Sequence, residues 1–200
     1  MTAVEAPPDT ATPPPAAGRR PFRWTREQYH RLGELGFFRD KRVERIRGEV
    51  VEMSPVDWPH TIGKQLVGDA LRVVFAGTGW VSDQSPLPLD GSDPEPDVAV
   101  YPGTVRDYTD HPTDPLLVVE VANSSLAYDT TTKVELYAEA AHPEYWVLDL
   151  PNRRLQVFRD PYAIPAGGHT YRTRLTYAPG EGVSPLAAPH AVVAVADLLP

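Results

Sequence analysis

The chain has 200 residues, a formal net charge of −8 at pH 7 and no cysteine. Its length predicts one domain that is large enough to bury a hydrophobic core. The lack of cysteine excludes disulfides, thiolate catalysis and cysteine zinc sites. The acidic balance argues against tight non-specific binding of nucleic acid, which rests on basic surface. It is compatible with a nuclease, because a carboxylate cluster that binds a divalent metal is itself acidic.

The first 20 residues differ in composition from the rest of the chain. They are rich in Pro, Ala and Thr, and Val4 is their only large aliphatic residue besides the initiator Met. Such a segment buries too little apolar surface to offset its ordering entropy, which predicts a disordered tail over 1–20 and one folded domain over 21–200. We expect no signal peptide and no membrane span, because no basic start or long apolar stretch is present. The expected location is the cytoplasm.

The folded part is predicted to begin with a helix and a hairpin. Thr25 and Gln28 are spaced as in a capping box, and Gly36 is a typical helix stop. The segment "VERIRGEVVEMS" then predicts two short strands that turn at Arg47-Gly48.

A basic run, "RDKRVERIR", overlaps this hairpin at positions 39–47 and holds five basic residues among nine. A solvated edge of the hairpin and a surface that contacts phosphate are both consistent with this pattern. The sequence leaves these two interpretations open.

The middle of the chain alternates helices and strands. A second helix should begin near Pro59, which suits the first helical position, and end at Gly77. Strands are predicted at "GWVSDQ", "PDVAVY" and "PLLVVEVA", and the last is expected to be central because it is almost entirely apolar. A third helix, "YDTTTKVELYAEAAHP", would be capped by Asp129 or Thr130 and end near Pro143.

The last predicted elements are strands. The segment "EYWVLDLPNRRLQVFRD" is typical of a hairpin that turns at Pro151-Asn152, and "TYRTRLTY" and "AVVAVADLLP" supply one or two final strands. The order of helix, hairpin, helix, strands, helix and hairpin predicts the α/β class, with helices packed on a mixed central sheet.

A carboxylate interrupts the most apolar strand. Glu120 follows the run 116–119 directly, and Val121 and Ala122 resume the apolar pattern. A carboxylate in such a place must be paired, protonated or bound to a metal. From the residues alone, a structural ion pair and a metal ligand are both open.

Two further residues could lie near Glu120 in the folded chain. Asp97 opens a strand 23 positions before Glu120, and Lys133 follows Glu120 by 13 positions at the start of the next helix. If the two strands are neighbours, the carboxylates would lie close together and favour a divalent cation, Mg²⁺ or Mn²⁺ for oxygen ligands. An ammonium from Lys133 could then stabilise developing negative charge. A strand-ending Asp and a solvated Lys are the alternatives.

Five ordered blocks of the chain resemble a known family. "RVERIRGEVVEMSP", "PEPDVAVY", "PLLVVEVANSS", "K-x-x-x-Y" and "HPEYWVLDLPNRRLQVFRD" are similar to the Uma-two family of bacterial restriction endonucleases, within the PD-(D/E)-x-K nuclease superfamily. The common pattern of the superfamily places its lysine where this chain has Ala122. In the Uma-two family the lysine lies on the following helix, and Lys133 fits. The resemblance implies a restriction-endonuclease-like core.

The resemblance also implies roles for matching residues. Asp97 and Glu120 would be the principal metal ligands, with the Val121 carbonyl as a third and Glu44 assisting. Lys133 would be the catalytic ammonium. The neighbours of Glu44 differ from the usual family pattern, and "VANSS" replaces a more usual Val-Leu-Ser-Pro, which affects substrate contacts rather than the metal site.

The expected function is a metal-dependent endonuclease that hydrolyses phosphodiester bonds, with DNA as the expected substrate and Mg²⁺ or Mn²⁺ as cofactor. A homodimer is compatible with cutting both strands of a duplex. The alternatives are a nuclease-like fold that acts as a non-catalytic nucleic-acid or protein binding module, and, with less support, a hydrolase of small phosphoesters. His60 matches a family histidine and is expected to be a helix-start residue.

Overall fold

The structure is a computed structural model that describes residues 20–200, so the predicted tail lies outside the described residues except for Arg20. Its helices are α1 (Arg26–Glu34), α2 (Trp58–Val74), α3 (Leu126–Asp129) and α4 (Thr132–Glu139). Its strands are β1 (Val43–Ile46), β2 (Glu49–Glu52), β3 (Gly79–Asp83), β4 (Val98–Pro102), β5 (Leu117–Ala122), β6 (Glu144–Asp149), β7 (Arg154–Ala163), β8 (His169–Tyr177), β9 (Gly182–Val183) and β10 (Val193–Ala194). None of the described helices is both long and apolar enough to cross a membrane.

Six strands form the central sheet, in the order β3-β4-β5-β6-β7-β8. All neighbours are antiparallel except β5 and β6, which run parallel. A parallel pair requires a crossover connection, and α3 and α4 provide it. This mixed sheet with flanking helices confirms the predicted fold class.

The alternation of side chains along β5 decides which layer each residue meets. Val119 and Val121 pack in the core cluster that contains the buried side of α2. Val118 and Ala122 pack in a second cluster with residues of α4. Because successive side chains of a strand point to opposite faces, Glu120 faces the α4 side of the sheet.

The predicted hairpin is present as a separate two-stranded sheet. β1 and β2 pair in the register Ile46↔Glu49, and the turn lies at Arg47 and Gly48 with φ values of 50° and 75°. Positive φ at both turn positions is typical of the tight turns that join antiparallel strands, and Gly adopts it without strain. The sequence prediction of this turn is confirmed.

The predicted third helix is present as α4, but it begins at Thr132, later than a cap at Asp129 or Thr130 implies, and the short helix α3 precedes it. The hydroxyls of Thr130 and Thr131 donate to the carbonyls of Leu126 and Ala127, at 2.6 Å each. Such side-chain bonds to the backbone compete with helix continuation, and Thr131 has non-helical φ −125° and ψ −78°. No side chain caps α4, so the cap expected from Asp129 or Thr130 is wrong.

The C-terminal prediction of strands is correct only in part. "TYRTRLTY" lies within β8, whereas "AVVAVADLLP" forms the two-residue strand β10 and a 3₁₀ turn over Val195–Leu198. Its apolar side chains pack in the same cluster as α2, so their burial, rather than strand pairing, explains the apolar pattern.

Candidate active site

A cavity of about 350 Å³ lies between the hairpin, the start of α2, the ends of β4 and β5, and α3. Five charged side chains that line it are each at most 6% exposed: Glu44, Asp97, Glu120, Asp129 and Lys133. The structure therefore brings together all four side chains predicted from the sequence and adds Asp129.

Lys133 occupies the centre of this cluster. Its Nζ donates to Glu44 Oε1 at 2.8 Å and to Glu120 Oε1 at 3.0 Å. Tyr137, one helical turn further along α4, donates its hydroxyl to Glu120 Oε1 at 2.8 Å. Burial by itself would lower the pKa of Lys133, but Glu120 and Glu44 outweigh that effect and hold the pKa above its usual value. Lys133 is therefore an ammonium.

Glu120 carries the surplus negative charge of the cluster. Burial raises its pKa to about 8, and the charges of Asp97, Asp129 and Glu44 act in the same direction, against Lys133. Four carboxyl groups share one ammonium, so a further cation beside Glu120 would be stabilised.

Asp97 connects the ends of β4 and β5. Its Oδ2 accepts from the Val121 amide at 2.8 Å and lies 3.0 Å from His60 Nε2, while the Asp97 amide donates to Glu120 Oε2 at 3.2 Å. His60 stands in the first turn of α2, where the cap residue Asp57 accepts from its backbone amide. His60 is thus a helix-start residue, as expected, and also a direct partner of Asp97.

Glu44 reaches the cluster from β1. Its Oε1 accepts from the Glu95 amide at 2.7 Å as well as from Lys133. Glu49 and Glu52, the other acids of the hairpin, are exposed and pair with basic side chains at the surface. The register of the hairpin therefore selects Glu44 as the acid that points inward.

Asp129 is the site residue that the sequence reasoning missed, because it was assigned to a helix cap. Its carboxyl accepts a hydrogen bond from Ser125 and lines the cavity. Burial raises its pKa to about 6, and Asp97 and Glu44 add to that shift. No local pattern marks Asp129 as a site residue, because it ends α3 whereas Lys133 lies in α4, and the non-helical Thr131 separates them.

The carboxylate oxygens of the cluster are suitable ligands for a hard divalent cation. Two of these carboxylates, however, are engaged by Lys133. Within residues 20–200, no three His, Cys, Asp or Glu side chains are arranged as a metal site. All of the candidate ligands are carboxylates, however, which suit Mg²⁺ and Mn²⁺. The raised pKa values of Glu120 and Asp129 indicate that a further positive charge would be stabilised there.

The comparison with protein families decides the affiliation of the chain. A family model named Uma2 and described as "Putative restriction endonuclease" matches residues 26–196. The chain belongs to the Uma2 family. This match confirms the resemblance found in the sequence.

A solved structure has a fold similar to that of the Uma2 chain. A crystal structure described as "a putative nuclease belonging to DUF820 from Anabaena variabilis ATCC 29413" is similar, with a TM-score of 0.66. The two share 13% sequence identity, and the match covers 86% of this chain and 95% of that one. At this identity the likeness shows the fold alone. No curated protein matches the Uma2 chain.

Proposed function

We propose that this Uma2 protein is a metal-dependent endonuclease that hydrolyses phosphodiester bonds in nucleic acid, with DNA as the expected substrate. The observation that carries the proposal is the buried cluster in which Lys133 contacts Glu44 and Glu120 beside Asp97. The description of the Uma2 family and the nuclease title of the similar structure support a nuclease. Location in the cytoplasm and a homodimer stay predictions.

The metal would be held by carboxylates at the ends of two neighbouring strands. Asp97 and Glu120 are the proposed principal ligands of Mg²⁺ or Mn²⁺, assisted by Glu44 and the Val121 carbonyl. When bound, the cation would polarise the phosphate and lower the pKa of water. His60 and the Val121 amide fix the orientation of Asp97 through its Oδ2.

Lys133 is the proposed electrostatic catalyst. Its ammonium is charged and buried, and it is oriented by two carboxylates at 2.8 and 3.0 Å. In a site with little water, such a fixed positive charge stabilises the negative charge that develops on phosphate oxygens during attack. Tyr137 helps to keep Glu120 in place by donating its hydroxyl to Oε1.

A non-catalytic binding module is the second candidate function. It is favoured by the engagement of Lys133 with two carboxylates and by the absence of a three-ligand metal arrangement within residues 20–200. In that case the ion pairs would hold the fold together, and nucleic acid or protein would bind without being cleaved.

Cleavage and metal binding, measured together, separate the two functions. Plasmid DNA and single-stranded DNA are incubated with Mg²⁺ or Mn²⁺ and wild type, Asp97→Ala or Lys133→Ala, and calorimetry measures Mn²⁺ binding. Lys64→Ala is the matched control, because Lys64 bonds to Gln84 outside the cavity. Metal-dependent cleavage that is lost in both site variants and kept in the control supports the nuclease. Absence of both cleavage and Mn²⁺ binding in wild type supports the binding module.

A further inference from the structure

We propose that the cavity binds one unpaired strand of nucleic acid, with Arg42 contacting a phosphate and Trp58 stacking on a base. This inference rests on the proposed nuclease function and deepens it by naming the form of the substrate. Three features support it, namely a single cation available at the cavity, the depth of the carboxylates and an exposed aromatic side chain next to a cavity residue.

The basic run at 39–47 is mostly neutralised by neighbouring acids. Its ion pairs are Lys41–Glu52 at 2.6 Å, Arg45–Asp93 at 2.7 Å, and Arg47 with Glu135 and Glu139 at 3.1 Å each. Arg42 differs, because it lines the cavity and forms no ion pair with any acid among the described residues 20–200. Arg42 is thus available to a phosphate.

Ion pairs reduce the number of cations outside the cavity that a duplex could contact. Many are neutralised by acids in ion pairs such as Arg23–Glu49, Arg72–Asp83, Arg154–Asp149 and Arg159–Glu144. Binding along a duplex depends on several free cations that follow its phosphates. One available arginine at the cavity suits one phosphate of one strand.

The depth of the carboxylates in the cavity also favours a single strand over a duplex. Asp97 and Glu120 are 6% and 5% exposed, so a phosphate must enter the cavity to reach them. A duplex is stiff over lengths far greater than this protein, because its persistence length is about 150 base pairs. A strand without its complement can bend a single phosphodiester into the cavity.

An apolar side chain at the cavity and an exposed aromatic side chain next to it in the chain suit a base. Val56 lines the cavity and is 41% exposed, and Trp58 is 72% exposed at the start of α2, one residue after the cavity-lining Asp57. Exposed aromatic rings stack on unpaired bases with little regard to sequence. In a duplex, the faces of the bases are covered by their neighbours and are not available to Trp58.

Fluorescence anisotropy tests the inference without cleavage. A labelled DNA strand, the same strand annealed to its complement and an RNA strand of equal length are titrated with the full chain, in Ca²⁺ and again in EDTA. Either single strand should bind at least about tenfold tighter than the duplex. Arg42→Ala should weaken single-strand binding about tenfold, as expected for one charged contact. It should also reduce the slope of log Kd against log salt by about 0.7.

Matched variants separate these roles from general damage. Arg42→Lys keeps a charge and should bind more tightly than Arg42→Ala, whereas Lys41→Ala should bind like wild type because Lys41 pairs with Glu52. Trp58→Ala should lose about fivefold or more of its affinity for single strands, in line with the loss of one stacked base. Thermal unfolding of each variant checks that the fold is kept.

Three results would overturn the inference, the first two of which concern relative affinities. One is equal or tighter binding of the duplex, and the other is an equal loss of affinity in Arg42→Ala and Lys41→Ala. Absence of measurable binding by any strand form would also overturn it. The proposed nuclease function fails separately, by the absence of hydrolysis with Mg²⁺ or Mn²⁺, and single-strand preference would survive that result.

Discussion

Replacing Lys133 by Met should make the stability of the protein strongly dependent on pH. The substitution removes the ammonium that lies 2.8 Å from Glu44 and 3.0 Å from Glu120 and leaves two carboxyl groups buried without their cation. Breaking a buried ion pair by removing one partner costs about 3–5 kcal/mol of unfolding free energy. Lys133 is 3% exposed, so water screens little of this cost.

The cost should be largest in mildly alkaline solution. Burial raises the folded-state pKa of Glu120 to about 8, and loss of Lys133 removes the charge that opposes this shift, so the pKa rises further. A folded state that binds more protons than the unfolded state gains stability as the pH falls. Each additional bound proton changes the free energy of unfolding by at most about 1.4 kcal/mol per pH unit. The loss at pH 8 should therefore exceed the loss at pH 6.

Urea unfolding of wild type, Lys133→Met and Lys64→Met at pH 6 and pH 8 measures these differences. Lys64→Met is the control because its partner is the neutral side chain of Gln84. A cost below about 1 kcal/mol at both pH values, or a cost equal to that of Lys64→Met, would refute the idea that Lys133 neutralises the cluster.

Three further outcomes are expected. Asp129→Asn should weaken Mn²⁺ binding about tenfold in calorimetry, because it removes one of the negative charges around Glu120. The control Asp69→Asn should leave Mn²⁺ binding unchanged, because Asp69 is exposed on the surface. Burial lowers the pKa of His142 to about 4. The unfolded chain therefore binds one more proton than the folded chain between about pH 6.5 and pH 4. Wild type should lose up to about 3 kcal/mol of unfolding free energy over that interval as the pH falls. Urea titrations of His142→Gln should show that loss much reduced, and an unchanged acid sensitivity would assign it to other groups. Gly63→Val should destabilise the fold by about 1–3 kcal/mol and lower Tm, since even a Cβ there would lie 3.1 Å from Val121 Cγ1; an unchanged Tm would contradict this.

Local patterns were sufficient to predict most of the elements around the site. The capping box at Thr25 and Gln28 and the turn at Arg47 and Gly48 are present as expected, because short-range hydrogen bonds and backbone preferences determine them. The burial of Glu120 followed from its apolar neighbours. The involvement of Lys133 came from the family resemblance, since spacing along the chain does not reveal which side chains meet across a sheet.

Tertiary contacts account for what the sequence did not reveal. Asp129 was expected to cap the third helix, whereas it ends α3 and lines the cavity. The partnership of His60 with Asp97 depends on the packing of α2 against the ends of the strands. Periodicity along one element carries no information about such a distance between elements.

The hydrogen bonds of Asp97 have a consequence for how related chains are interpreted. Its carboxylate accepts from the amide of Val121, and its own amide donates to Glu120, so these groups extend the pairing of β4 and β5 beyond the last backbone partners. A relative that had given up hydrolysis would still need this acid to join the two strands. Retention of Asp97 in a relative is therefore a sign of an intact sheet and does not by itself show that the relative cleaves nucleic acid.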